Sequence, residues 1–145
     1  MTVQQYRQKV QGISENLIDW VSEILENDLE TEVLALIKAQ LGKGYDGKDR
    51  PLGFYRQTTL ISKRRRNAVI MGDRIALIDR GDFWKSFFLN MYQGSIIIDA
   101  DDKKRDRLVD RFTDAIFLLS PKSMEYLSTL VRPLLMAKIN QYLAQ

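Results

Sequence analysis

Asp82-Phe83-Trp84-Lys85-Ser86-Phe87-Phe88-Leu89-Asn90-Met91-Tyr92-Gln93-Gly94-Ser95-Ile96-Ile97-Ile98-Asp99-Ala100 is the stretch that decides the fold. Two runs rich in aromatic and β-branched residues flank Gln93-Gly94, a pattern that predicts a β-hairpin over about 83–100. Ser86 to Met91 reads as the outgoing strand and Ser95 to Ala100 as its return. Residues 79–85 read either as the approach to that strand or as one helical turn. Side chains alternate across a strand, so Phe83, Phe87 and Leu89 share one face and Trp84, Phe88 and Tyr92 the other. A stripe of this kind reads as core. Before it lie the apolar run Ile75 to Ile78 and the turn signal Asp79-Arg80-Gly81-Asp82.

Upstream the spacing changes. Val3, Tyr6, Val10, Ile13, Leu17, Val21, Ile24 and Leu25 recur at steps of three and four, widened by Ile18 and Trp20. That is one face of a long amphipathic helix, packed on the rest of the chain or on a neighbouring subunit. Gly12 inside it points to a kink or to close packing. Asn27 and Glu30 have capping-box spacing, and a second helix carries Leu29, Val33, Leu36, Ile37 and Leu41, with Gly42 placed to end it. Residues 42–54 hold a cluster of glycines and Pro51 and read as a loop with several turns; the acidic pattern of a calcium loop is missing. Thr58 to Arg66 reads as a short helix whose last turn carries Lys63, Arg64, Arg65 and Arg66, where cations complement the helix dipole.

Downstream, Asp101 or Asp102 is placed to cap a short helix holding Leu108, Val109 and Phe112. Residues 114–119 read as a short strand or extended link. Ser120-Pro121 is a helix start, and the final helix shows Met124, Leu127, Leu130, Val131, Leu134, Leu135, Ile139 and Leu143 on one broad face, with a kink expected at Pro133. The expected fold is α+β in a single domain over 1–145. Residues 1–41 are helical, 42–66 form an extended basic arm, 67–120 contain the sheet, and 121–145 form the terminal helix.

Composition narrows the chemistry. The chain of 145 residues has 45% hydrophobic and 28% charged residues, as an ordinary globular domain does, with a formal net charge of +3. It contains no Cys and no His. Zinc sites of the usual nitrogen and sulfur kind, thiol nucleophiles and imidazole bases are therefore excluded. The polar N-terminus and the lack of a long apolar run point to a protein made and kept soluble in a cytoplasm, with no membrane partner. No phosphate-binding glycine loop is present. The best catalytic set is carboxylate: Asp79, Asp82, Asp99, Asp101 and Asp102 near Lys85, the ingredients of a Mg²⁺-dependent nuclease. Acidic residues at turns are also expected without catalysis. A third reading is a small DNA-binding regulator using Lys63 to Arg66.

The order of features resembles a phage family. Asp46-Gly47, Pro51-Leu52-Gly53, Tyr55, Thr58 and Lys63 are similar to the glycine, aromatic, threonine and lysine arm of virion-morphogenesis and tail-completion proteins. Leu77 to Phe87 resembles their segment with a glycine between polar and apolar positions, although Arg80 stands where threonine is common. Ser95 to Asp99 resembles the strand that follows, and Ile116 to Ser120 the passage before the last helix, with Leu119 where glycine is usual. The likeness runs in order over roughly residues 30 to 143. It implies a non-enzymatic structural protein without cofactor or bound metal. Such a protein forms a ring in the head-to-tail connector through which DNA passes, in the virion neck or tail region, after assembly in the host cytoplasm. Its partners would be copies of itself, the portal and other neck or tail proteins, and, without sequence specificity, the passing DNA. The contact residues expected for such partners are Tyr55, Arg56, Lys63, Arg64, Arg65 and Arg66.

Overall fold

The computed structural model describes residues 1–68, 70, 72–78 and 81–145. The described residues form an α+β fold of six α-helices and one two-stranded antiparallel sheet. Asp79 and Arg80, expected in a turn, lie outside the described residues.

The first helix, α1, spans Val3–Glu23 and opens with a capping box: the Thr2 hydroxyl accepts from the Gln5 N–H and the Gln5 side chain accepts from the Thr2 N–H. The break expected at Asn27 lies elsewhere. A π-helical turn, Ile24–Asp28, carries the chain on, and the reorientation falls at Leu29, where the Leu29 N–H donates to the Ile24 carbonyl. Asn27 caps nothing; helix α2, Glu30–Gly42, starts with no side-chain cap. Wide π turns are places where a helix re-aims its side chains, and here Ile24, Leu25 and Leu29 all end up buried.

Gly42 is the last residue of α2 rather than its terminator. The left-handed position is Gly44, at φ 88°. The Tyr45 N–H reaches the Gln40 carbonyl and the Gly44 N–H the Leu41 carbonyl, the paired bonds of a Schellman ending.

The loop that follows is folded back on the body, which corrects the expectation of an extended arm. The Gly47 N–H donates to the Ala115 carbonyl, Leu52 to Gly44, Tyr55 to Asp73 and Ile75 to Gly53. At its centre Asp46 is buried, accepting from the N–H groups of Lys48 and Arg50 and pairing with the Arg50 guanidinium at 3.0 Å. Helix α3 is Gln57–Arg65.

The hairpin lies where the sequence puts it. A single helical turn, α4 (Asp82–Lys85), precedes β1 (Phe87–Tyr92), which pairs with β2 (Ser95–Ala100) in the register Phe87 to Ala100, Leu89 to Ile98 and Tyr92 to Ser95. Ser86 caps α4 instead of opening the strand. Gln93 and Gly94 both have positive φ, as a tight two-residue connection of twisted strands requires. Phe87, Leu89, Ile98 and Ala100 face the core, while Phe88 is half-buried and Tyr92 exposed.

Helix α5 (Arg105–Phe112) is entered through Asp102, whose carboxylate accepts from the Lys104 N–H. Residues 114–117 form a 3₁₀ turn, not a strand, and it buries Ala115, Ile116 and Phe117. A single turn with one buried side needs no ladder partner, which a strand there would. Helix α6 (Pro121–Leu143) starts as expected, with the Ser120 hydroxyl accepting from the Ser123 N–H, and it continues past Pro133. Pro133 is exposed, so its ring meets solvent rather than a packed neighbour.

The core gathers these pieces. Ile24, Val33, Ile37, Leu41 and Ile116 are fully enclosed. Phe83, Phe87 and Phe117 form an aromatic triad, with centroids 4.9 Å apart for Phe83 and Phe87 and 5.7 Å for Phe87 and Phe117, both edge-on.

Candidate functional site

The basic run does not act as one unit. Lys63 points inward and is only 4% exposed. Its ammonium donates to the Ile78 carbonyl and lies 4.5 Å from the centroid of the Tyr55 ring. A buried ammonium needs such partners, because an unpaired charge out of water is expensive. Lys63 therefore joins α3 to the 75–78 segment, and the expectation that it reaches outward to a partner is corrected. Arg56, Arg64, Arg65 and Arg66 are exposed, and Tyr55 is half-buried. The guanidinium groups of Arg64 and Arg65 make no hydrogen bond or ion pair among the described residues.

Beside Lys63 opens a cavity of about 400 Å³ between α3, the 75–78 segment, α4 and α5. Its floor is apolar, formed by Ile75, Leu77 and Leu108, with the rings of Tyr55, Phe83 and Phe112 around it. Its charged lining is Lys63, Arg66, Lys104, Arg107 and Arg111 against Asp82. Three of these cations come from Lys104 and α5, which the sequence reading did not connect with α3. The signal was present: positions 104, 107 and 111 are spaced three and four apart, one face of a helix. What the sequence does not carry is that α5 folds next to α3.

The carboxylate set disperses. Asp99 is held by Arg105 at 2.8 and 3.2 Å through both of its oxygens, and Arg105 also reaches Asp106 at 3.0 Å. Burial would push the Asp99 carboxyl upward, but the Arg105 hydrogen bonds, the Ala100 N–H and the guanidinium charge outweigh it and hold the group below its ordinary value. Both oxygens are thus engaged by a cation of the chain itself. Asp82 and Lys85 are exposed on α4, Asp102 serves the turn into α5, and Asp79 lies outside the described residues. Among the described residues no three acidic side chains come together as a metal site would need, and no helix is long and apolar enough to cross a membrane.

A second feature is the pair of long helices. They run side by side in opposite directions, with the Lys9 ammonium at the Tyr142 and Gln145 carbonyls and Glu23 paired with Lys138 at 3.0 Å. Tyr142 packs edge-on against Trp20 at 5.4 Å and fills the notch left by Gly12, where an added Cβ would stand 1.9 Å from the tyrosine hydroxyl. Close packing is thus the role of Gly12. The face of α1 turned to α6 is Lys9, Gly12, Ile13, Asn16 and Trp20. The neighbouring apolar residues Val3, Tyr6, Val10 and Leu17 stay exposed, as do Met124, Leu134 and Met136 on α6. No residue of α1 is buried.

No protein-family model matches the chain, and neither a curated protein nor a solved structure matches it.

Proposed function

We propose that this chain is a structural subunit that assembles with copies of itself into a ring, in the manner of the head-to-tail connector and tail-completion proteins of tailed phages. One observation carries the assembly: α1 is 21 residues long, bears a regular apolar stripe, and leaves Val3, Tyr6, Val10, Leu17 and Ile18 of it exposed. Scattered apolar residues on a surface need no explanation, but a stripe running along a whole helix marks an interaction site. A neighbouring subunit supplies the missing cover. Contacts of this kind that repeat by rotation close into a ring. The resemblance of residues 30 to 143 to the tail-completion family supports the place of that ring.

Size-exclusion chromatography with light scattering, followed by negative-stain imaging, tests the proposal. The expected result is a concentration-dependent oligomer with ring-shaped particles, converted to monomer by Tyr6→Gln with Val10→Gln. A wild-type chain that stays monomeric at high micromolar concentration overturns it. For the connector assignment, a protein missing from purified virions is the decisive negative.

A further inference from the structure

We infer that the cleft between α3 and α5 is a binding site for a nucleotide unit, its phosphate held by the arginines of α5 and its base inserted over the apolar floor. The inference is independent of the proposed ring assembly, which rests on α1.

Three observations converge on it. The first is charge of the right kind. Arg107 and Arg111 project from one face of α5 into the cleft lining, and among the described residues neither makes a hydrogen bond or an ion pair. Guanidinium groups offer planar, paired donors that match phosphate oxygens. The second is shape. A cavity of about 400 Å³ lies within the range of pockets that enclose small ligands, and its floor of Ile75, Leu77 and Leu108 suits a planar apolar body. The third is the wall. Arg111 lies over the Phe112 ring at 4.9 Å, and Tyr55 carries Lys63 at 4.5 Å, so flat aromatic and guanidinium surfaces border the cleft. Unpaired bases stack on such surfaces irrespective of sequence.

An acidic protein segment would satisfy the cations but leave the floor and the flat walls unused. A duplex would reach only the rim, because its bases are paired and stacked inside. The ligand chemistry is therefore a phosphate joined to an exposed base, as in a free nucleotide or in a unit of a single strand.

Fluorescence anisotropy with a short labelled oligothymidylate tests this on the full chain. Wild type is expected to bind at low salt, and Arg107→Ala with Arg111→Ala to weaken binding by about tenfold or more, flattening the salt dependence by about 0.7 for each phosphate no longer neutralised. Both side chains are exposed, so the double variant keeps the wild-type melting temperature and circular dichroism. Excess thymidine monophosphate separates the two sources: displacement assigns the cleft to a free nucleotide, and its failure to displace assigns the cleft to a unit within a strand. The inference is overturned by binding that the double variant leaves unchanged, by a duplex that binds as tightly as the single strand, or by poly-glutamate that displaces the oligonucleotide equally well. Charge reversal at Arg64 and Arg65, outside the cavity lining, is the control and leaves the greater part of the binding in place.

Discussion

Helices α1 and α2 follow one another across a single π-helical turn, and both space their apolar residues by three and four. Their outcomes are opposite. Helix α2 sinks Val33, Ile37 and Leu41 to complete burial beneath the hairpin and the 3₁₀ turn, each such side chain contributing about 1.5–3 kcal/mol. Helix α1 half-buries Ile13, Trp20 and Val21 and leaves Val3, Tyr6, Val10, Leu17 and Ile18 in water. Periodicity reports that a face is to be covered; it does not report by what. In α2 the cover is the chain's own sheet and 3₁₀ turn; in α1 the proposed cover is a second molecule.

The widest test of that contrast is a matched pair of truncations. Ile37→Ala is expected to lower the unfolding free energy by about 2–5 kcal/mol, read from denaturant melts. Tyr6→Gln with Val10→Gln is expected to change the stability of the monomer by no more than about 0.5 kcal/mol while removing its self-association. Equal losses at both places would erase the distinction.

Two glycines sharpen it further. A Cβ at Gly47 would stand 2.1 Å from the Leu118 carbonyl oxygen, and backbone cannot step aside; a Cβ at Gly12 would meet only the far end of Tyr142. Gly47→Ala is therefore expected to cost about 1–3 kcal/mol. At Gly12→Ala the roughly 1 kcal/mol gained in helix propensity offsets the displacement of one tyrosine, leaving stability nearly level. Separation of the Trp20 and Tyr142 rings, seen as a change in Trp20 fluorescence, is the expected mark of that displacement.

The smallest effect belongs to the Asp99–Arg105 pair, which is about one-third exposed. Asp99→Asn is expected to cost no more than about 1 kcal/mol at neutral pH. The folded-state group titrates below its ordinary value of 3.8, so its contribution is present above that pH and disappears as the pH falls through the folded-state value. Wild type and variant should thus differ in melting temperature at pH 7 and converge in strong acid. A difference that grew on acidification would contradict the pairing.

The hairpin and the last helix start were legible because their signals are local: a Gln-Gly turn between β-rich runs, and Ser followed by Pro. The 3₁₀ turn at 114–117 was not, because a short apolar run fits any buried element, and the packing against α2 and β2 decides among them. The end of α2 was misplaced by two residues because three nearby positions, Gly42, Gly44 and Gly47, compete for one left-handed site. For the candidate site, α3 was readable and its exposed arginines with it. Its depth was not: the inward turn of Lys63 depends on Ile78 and Tyr55, 15 and 8 positions away, and the approach of Arg107 and Arg111 on elements some forty positions apart in the chain.

The enclosure of Lys63 has a chemical consequence. An amine shut behind Tyr55 and the Ile78 carbonyl is shielded from acylating reagents that reach exposed lysines such as Lys48 and Lys103 within the same reaction time. Its modification, followed by mass spectrometry, then keeps time with the opening of the α3 region, and the first residue of a basic run becomes a clock for local unfolding.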